Sequence, residues 1–203
     1  MDDKLKTDLQ KAYDKRAMWR EEQPYSDWKE QERANFLAYL RRENKQTLLE
    51  IGAGPGRDSL FFQQNGLDVV ATDLSPEMVK LCRAKGLTAY VMDFNSLDFP
   101  QPFDAIFALN CLLHVPKKDL LTILQRLHGL LKPDGLFYMG IYGGQDFEGV
   151  HEEDHHEPKR HFSLYLNEEI QAVVGRYFTP VYFQAIPLTS EIDIFQSMIW
   201  RRP

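Results

Sequence analysis

Residues 48–56 read LLEIGAGPG, an apolar run that passes directly into three glycines at alternate positions. Residues 47–51 have the composition of a short buried strand, and residues 57–65 have the pattern of a helix that ends at Gly66. Glycines between a strand and a helix permit a tight turn and a close approach of the backbone to a ligand, toward which the helix N–H groups point. The stretch therefore predicts a strand, a glycine turn and a helix.

The alternation of strand and helix continues along the chain. Further strands are predicted over residues 68–72, 87–92, 104–109, 136–141, 181–186 and 195–200, and further helices over residues 76–85, 116–131 and 167–178. Lys132-Pro-Asp-Gly135 predicts a turn, in which proline fixes φ and Gly135 is free to take a positive φ. The fold class we predict is α/β, with a doubly wound, mostly parallel seven-stranded sheet that binds ligands at the carboxyl ends of its strands.

The length of the chain, 203 residues, predicts a single domain over residues 1–203, with one large core. Residues 1–45 have a helical pattern interrupted at Pro24 and are expected to form N-terminal covering helices. Residues 46–203 are expected to form the α/β core. Within it, the polar residues 143–163 predict an active-site loop.

Composition and charge argue against several classes of partner and location. The formal net charge of −6 argues against binding of a nucleic acid. The order of residues at the N-terminus is unlike a signal peptide, and no apolar run reaches the roughly 18 residues of a membrane span. Cys82 and Cys111 lie in apolar contexts and are expected to be core residues in a reducing compartment. We therefore expect a cytoplasmic protein that binds no membrane; the oligomeric state stays open.

Asp73 ends the strand after the glycine turn, where a carboxylate can accept hydrogen bonds from both hydroxyls of a ribose. Capping of the next helix by Asp73 or Ser75 is the structural alternative. A ribose-containing ligand leaves a nicotinamide dinucleotide and S-adenosylmethionine (SAM) open. Arg57 stands where a dinucleotide fold favours a small residue, and Glu50 places an acid near the glycines. The large side chain of Arg57 argues against a dinucleotide fold, and the acid Glu50 suits cationic SAM better than a pyrophosphate.

These motifs resemble those of class I SAM-dependent methyltransferases, in particular the small-molecule enzymes of the UbiE/TehB-like group, over about residues 47–200. The resemblance rests on five stretches in order: 50–56, 73–78, 93–94, 103–110 and 130–137. It implies that SAM is the cofactor and that the following residues bind it: Glu50, Gly52, Ala53, Gly54, Gly56, Asp73, Leu74, Met78, Asp93, Phe94 and Asn110. In the family the acid on the ribose corresponds to Asp73, and the acid on the adenine amino group corresponds to Asp93.

The resemblance also implies transfer of the methyl group to a small-molecule acceptor by direct in-line displacement. His114 and Tyr142 follow the fourth and fifth strands and are the catalytic candidates; a structural role remains open for each. A SAM-binding sensor or partner subunit without transferase activity is the alternative function, and a nicotinamide-dependent oxidoreductase is a second one. The identity of the acceptor is not predicted.

Two other segments carry candidate residues. Residues 151–157, HEEDHHE, invite a metal-binding interpretation, but consecutive ligands do not converge on one ion without a tight turn, and we expect no metal. Residues 159–163, KRHFS, bring cations and an aromatic ring that either bind a substrate acid or merely flank the loop. Tyr13, Trp19, Tyr25 and Trp28 predict an aromatic lid over the cofactor or simple packing on the sheet.

Overall fold

The computed structural model describes residues 1–188 and 194–203. Its helices are α1 (Asp3–Glu22), α2 (Asp27–Arg42), α3 (Arg57–Gln64), α4 (Pro76–Ala84), α5 (Lys117–Leu130) and α6 (Asn167–Val174). Its strands are β1 (Thr47–Ile51), β2 (Asp68–Asp73), β3 (Thr88–Val91), β4 (Phe103–Leu109), β5 (Leu131–Gly143), β6 (Phe147–Val150), β7 (His161–Leu164), β8 (Thr179–Pro187) and β9 (Ile194–Arg201). A short 3₁₀ helix, Leu112–His114, follows β4.

Seven strands form one sheet in the order β3-β2-β1-β4-β5-β9-β8. The pairs from β3 to β5 are parallel, and β9 is antiparallel to both β5 and β8. The predicted fold class is thus confirmed. Because β1 lies between β2 and β4, the chain leaves β1 in one direction and later returns to its other side. Ligands bind at such a switch point, beyond the carboxyl ends of the two central strands.

The core fills both faces of this sheet. On one face Phe36 of α2 and Phe62 of α3 pack on Phe107 of β4, with ring centroids 5.7 and 5.0 Å away, and Tyr138 of β5 stacks on the same ring at 4.6 Å. On the other face, leucines and isoleucine of α5 pack on β4 and β5. Truncation of one buried aromatic ring in such a core typically costs about 3–5 kcal/mol. The two packed faces fix the positions of the strand ends that carry the site.

The N-terminal helices cover the sheet as predicted. α1 contacts α4, and its side chains reach the ends of β2, β3 and β4. The Arg57 guanidinium donates hydrogen bonds to the carbonyl oxygens of Arg20 and Glu21, at the carboxyl end of α1. A cation at that end satisfies unpaired carbonyls and complements the helix dipole. Arg57, in the place of the third glycine of a dinucleotide fold, therefore fastens the covering helix.

Two local predictions were wrong. Residues 143–163 do not form only a loop, because β6 and β7 pair as a separate antiparallel ladder, Val150 with His161 at one end. Gly135 does not supply the positive φ of its turn, since Asp134 has φ 61°. A Cβ on Gly135 would lie 2.7 Å from the Lys132 carbonyl oxygen, so glycine is required there for close packing of backbone.

Candidate cofactor and acceptor site

The glycine turn lies between β1 and α3, with φ of 65°, 55° and 82° at Gly52, Gly54 and Gly56. These values favour glycine, because a side chain makes the left-handed region unfavourable. A Cβ on Gly52 would lie 2.3 Å from the Cβ of Cys111, so Gly52 lets β1 approach the end of β4. At Gly54 an added Cβ meets no atom within 4 Å. The backbone of Gly54 is therefore open to a ligand.

Two cavities meet at this turn, one of about 70 Å³ and one of about 230 Å³. Both are lined by Arg20, Gly52, Gly54, Leu109 and Asn110. The smaller cavity is also lined by four predicted cofactor residues: Asp73, Leu74, Asp93 and Phe94. The larger one is also lined by Glu50 and Ala53. Nine of the eleven predicted cofactor residues thus border one continuous region at the switch point of the sheet.

Asp73 is held in the site by backbone groups. Its Oδ2 accepts a hydrogen bond from the Gly54 N–H at 2.8 Å, and its Oδ1 accepts one from the Ser75 N–H at 2.8 Å. Burial raises the pKa of Asp73 to about 6, against the opposing effect of these two donors. Ser75, rather than Asp73, caps α4, because its Oγ accepts a hydrogen bond from the Met78 N–H. Asp73 thus connects the glycine turn to the end of β2 and leaves the capping role to its neighbour.

Glu50 and Asp58 are buried carboxyls at the floor of the larger cavity. Glu50 accepts a hydrogen bond from the Ser59 hydroxyl, and Asp58 accepts one from the Tyr25 hydroxyl at 2.5 Å. Burial and the charge of Asp58 raise the pKa of Glu50 well above its ordinary value. A cationic group in the cavity would favour the ionised form of Glu50. The pair therefore places two buried carboxyls beside the glycine turn.

Asp93 follows β3 and turns the chain with its own side chain, since its Oδ1 accepts from the N–H groups of Asn95 at 2.7 Å and Ser96 at 2.8 Å. Its Oδ2 pairs with the Lys6 ammonium of α1. Burial acts to raise the pKa of Asp93, but Lys6 and the backbone donors outweigh it and lower that pKa. The oxygen predicted to meet an adenine amino group is thus held by a cation from the covering helix.

Unpaired polar atoms lie where the cavities meet. Asn110 has φ 53°, and its N–H donates to the Gly140 carbonyl oxygen at 2.7 Å, whereas its buried Oδ1 has no hydrogen-bond partner among the described residues. The buried Nε of Arg20 also has no partner there. Buried polar groups are satisfied in most native structures. One acceptor and one cationic donor therefore face a region that fits a polar ligand.

His114 borders the smaller cavity and is almost completely buried. Its Nδ1 lies 2.7 Å from the His161 carbonyl oxygen, which only accepts, so Nδ1 carries the hydrogen. Its Nε2 then accepts from the Tyr13 hydroxyl at 2.8 Å. Burial, assisted by the charge of Arg160, lowers the pKa of His114 to about 3. In this geometry His114 is a neutral imidazole that accepts the hydrogen bond of the Tyr13 hydroxyl.

The other predicted contacts lie away from both cavities. Gly56 begins α3, where an added Cβ would lie 2.7 Å from the Leu87 side chain. Met78 is fully buried within α4. Tyr142 packs against Trp28 and Phe195, with ring centroids 6.4 and 6.1 Å away. Gly56 and Met78 therefore shape the turn and its support. Tyr142 lies beside the antiparallel edge of β5, outside the cavity walls.

The aromatic and histidine-rich segments have mixed placements. Tyr13 borders the smaller cavity, while Trp19 and Tyr25 border the larger one. Trp28 packs 4.4 Å from the Phe195 ring. Within residues 1–188 and 194–203, no group of three or more His, Cys, Asp and Glu side chains is arranged to hold a metal ion. No helix in the same two ranges is both long and apolar enough to cross a membrane.

Known proteins resemble this chain in sequence and in fold. Residues 48–135 match the family model described as a methyltransferase domain. The ubiquinone biosynthesis O-methyltransferase of Xylella fastidiosa is 34% identical over 100 residues, 45% of this chain and 40% of that protein. The chain thus aligns with only about two fifths of the length of this curated relative. The Burkholderia thailandensis 1,6-didemethyltoxoflavin-N1-methyltransferase structure, solved with 1,6-didemethyltoxoflavin and S-adenosylhomocysteine bound, superposes with TM-score 0.77 and 26% identity over 98% of this chain and 87% of that chain.

In sequence over residues 48–135 and in fold over most of its length, the chain is similar to SAM-dependent methyltransferases. The fold of this family extends over the whole chain: the N-methyltransferase NodS of Bradyrhizobium japonicum, solved with S-adenosylhomocysteine, covers 100% of both chains with TM-score 0.72 at 14% identity. In this chain the glycine turn follows β1, Asp73 ends β2 and Asp93 follows β3.

The sequence interpretation missed Arg20 and named Arg160 only as part of the run at residues 159–163. Arg20 of α1 borders both cavities, and Arg160 donates a hydrogen bond to Tyr13 at 3.1 Å. The pattern of α1 gave no sign of the first, because Arg20 is one of several charged residues on a polar helix. The basic and aromatic run at residues 159–163 did indicate the second, without showing what it would contact.

Proposed function

We propose that the chain is a SAM-dependent methyltransferase that acts on a small-molecule acceptor by direct in-line displacement. The observation that carries the proposal is the pair of cavities that meet at the glycine turn, with Asp73 and Asp93 on one side and Glu50 on the other. Solved members of the fold, such as those from Burkholderia and Bradyrhizobium, contain S-adenosylhomocysteine, the demethylated product of SAM.

The residues that line the two cavities match the functional groups of SAM one by one. Asp73 would accept from the ribose hydroxyls, and Asp93 with Phe94 would hold the adenine, which requires release of Lys6 from Asp93. Leu74 would pack near the adenine. Glu50 would pair with the ammonium group, and Gly52, Ala53 and Gly54 would line the methionine part.

Two unpaired atoms complete this assignment. The Nε of Arg20 would pair with the carboxylate of the methionine part, and the Oδ1 of Asn110 would accept a hydrogen bond from the ligand at the junction of the cavities. Gly56 and Met78 would act indirectly, by holding the turn and α4. A ligand that satisfies both buried atoms gains affinity because water is excluded from them.

Bound SAM supplies a methyl group on a sulfonium, so that a lone pair of the acceptor forms a bond to the methyl carbon while the electron pair of the broken C–S bond stays on sulfur. The chain then has to align the acceptor and exclude water. α1 excludes water, because Leu9 and Tyr13 close the smaller cavity. His114 contributes to alignment of the acceptor, as a neutral partner that fixes the Tyr13 hydroxyl. Tyr142 would support the acceptor side through Trp28 and Phe195.

The acceptor is proposed to be a small molecule rather than a nucleic acid, because a formal net charge of −6 disfavours binding of a phosphate backbone. We also propose a cytoplasmic location, since both cysteines, Cys82 and Cys111, are free and buried.

The test is production of S-adenosylhomocysteine from SAM with a panel of O–H and N–H acceptors, because the similar proteins from Xylella and Burkholderia are an O-methyltransferase and an N1-methyltransferase. We expect turnover with at least one class, abolished when Asp73 is replaced by alanine. Binding of SAM without turnover across the panel would support the sensor alternative and refute the enzymatic proposal.

A further inference from the structure

Lys29, in the first turn of α2, carries a charge that the assignments above leave unused. Its side chain lines the larger cavity and is partly buried. Its ammonium lies 5.3 Å from the centroid of the Trp28 ring and 5.9 Å from that of the Tyr25 ring. Among residues 1–188 and 194–203 it has neither a hydrogen bond nor an ion pair. Because a lysine ammonium is costly to bury without a partner, this group is available to an anion in the cavity.

Two guanidinium groups make the unpaired state of Lys29 less favourable. Burial lowers the pKa of Lys29, and the charges of Arg20 and Arg57 add to this effect, whereas the charge of Asp58 opposes it. Arg57 is committed to the covering helix, because it donates to the carbonyl oxygens of Arg20 and Glu21. The buried Nε of Arg20 has no hydrogen-bond partner in the described part of the chain. An anion held between Lys29 and Arg20 would therefore offset their repulsion.

The acid that shares this cavity has the opposite deficit. Glu50 accepts a hydrogen bond from the Ser59 hydroxyl, but no cation of the described residues forms an ion pair with it. Asp58, by contrast, lies 3.5 Å from the guanidinium of Arg33. Glu50 and Lys29 thus line one cavity without pairing with each other. One unpaired acid and one unpaired ammonium match the zwitterion of an α-amino acid, whose ammonium and carboxylate are attached to the same carbon.

We propose, building on the function proposed above, that Lys29 binds the carboxylate at the amino-acid end of SAM together with Arg20, while Glu50 binds the ammonium. Lys29 then determines which adenosine compounds the site accepts, because it favours SAM and S-adenosylhomocysteine over adenosine thioethers without a carboxylate. The residue lies outside residues 48–135, which match the methyltransferase domain, so that the match assigns it no role. The covering helix α2 thus contributes to cofactor selection.

The experiment is calorimetric binding at pH 7 of three probes: S-adenosylhomocysteine, its decarboxylated form, and 5′-methylthioadenosine, which lacks the whole amino-acid end. The three share the adenosine and the thioether, so a general change in the adenosine site affects all of them. Lys29→Gln is expected to weaken S-adenosylhomocysteine by at least about tenfold and the other two probes by less than about twofold. Lys29→Arg keeps the charge and should bind S-adenosylhomocysteine within about threefold of the wild type.

Lys80→Gln is the matched control, because it removes the same group from an exposed position on α4, where the ammonium lies 3.6 Å from Glu77. It should leave all three affinities unchanged.

The inference is overturned if Lys29→Gln behaves like Lys80→Gln, or if it weakens the decarboxylated probe as much as S-adenosylhomocysteine. If Lys29→Gln binds no probe, Lys29→Arg decides: a loss of S-adenosylhomocysteine affinity greater than about threefold overturns the inference, and a smaller one supports it. Failure of the wild type to bind any of the three probes would refute the cofactor site itself. Normal binding by the wild type, with no selective loss in Lys29→Gln, refutes the role of Lys29 alone.

Discussion

Replacement of Asp73 by asparagine separates the function of this residue from its contribution to folding. The carboxylate accepts from the N–H groups of Gly54 and Ser75, at 2.8 Å each. Asparagine has the same shape but keeps only one acceptor oxygen. Loss of one hydrogen bond to a charged acceptor typically costs about 1.5–3 kcal/mol.

The same substitution removes a buried charge. Burial raises the pKa of Asp73 from 3.8 to about 6. A shift of this size corresponds to about 3 kcal/mol by which the folded state disfavours the ionised carboxyl near neutral pH. The two effects oppose one another, so the free energy of unfolding of Asp73→Asn at pH 7 should lie within about 1.5 kcal/mol of the wild-type value.

The pH dependence has a definite sign. An acid with a raised folded-state pKa loses stabilising free energy as the pH rises from its unfolded to its folded value, here from about 4 to about 6. The variant lacks this loss. The free energy of unfolding of Asp73→Asn minus that of the wild type should therefore increase between pH 4 and pH 6 and stay constant above. Urea denaturation at four pH values measures it.

The affinity for SAM, unlike the folding stability, should fall clearly in Asp73→Asn. A ribose that donates two hydrogen bonds to a carboxylate meets only one acceptor oxygen in the variant, and we expect at least about a tenfold loss of affinity by calorimetry, or 1.4 kcal/mol. Unchanged affinity would show that Asp73 does not bind the ribose. A loss of affinity together with a large loss of folding stability would show instead that the residue acts through the turn.

Three further predictions use the same protein. Gly54→Ala and Gly66→Ala both place alanine at a positive φ, 55° and 91°, with no atom within 4 Å of the added Cβ. Each should lower the free energy of unfolding, measured in urea, by about 1 kcal/mol. Only Gly54→Ala should weaken SAM binding in calorimetry, and equal binding by the two variants would refute the open turn. Arg57→Ala should speed amide hydrogen exchange in α1, because two terminal carbonyls of that helix lose their donor. Replacement of the exposed Arg42 by alanine should leave this exchange unchanged. Equal protection of α1 in the two variants would disprove the fastening role of Arg57. The affinity of the wild type for SAM should fall by up to about tenfold per pH unit below pH 6, as Asp73 becomes protonated, and a flat profile in calorimetry would contradict this.

The parts of the fold that are encoded locally were accessible from the sequence. The glycine turn and Asp73 lie within 26 residues of one another, on consecutive strands whose apolar composition is plain. Parallel pairing of β1 with β2 then brings Asp73 beside Gly54. For such a unit, the strand and helix pattern determines which residues meet at the switch point.

The contacts of Tyr13 could not be predicted in the same way. Tyr13 meets His114 and Arg160 only because α1 lies across the strand ends and β7 returns to the 3₁₀ helix. Each of these side chains has an ordinary local context, and contacts over such sequence distances leave no periodic pattern. Tyr142 shows the reverse case: it follows a strand in the expected way, but pairing of β5 with β9 turns it toward Phe195.

The short ladder of β6 and β7 was missed for a related reason. Its strands have four residues each, include a glycine, and carry polar side chains on one face. Composition alone therefore indicates a loop. The strands are held by pairing across the segment and by Asp154 with Arg160, which only the folded chain brings together.

The most direct test of the SAM site is the change in thermal stability of the wild-type protein with added ligand. A ligand that binds only the native state at about a hundred times its Kd should stabilise it by about 2.7 kcal/mol. We predict a shift of that size with SAM and with S-adenosylhomocysteine, and none with NADH. A shift with NADH and none with SAM would contradict the assignment of these cavities to a SAM-dependent methyltransferase.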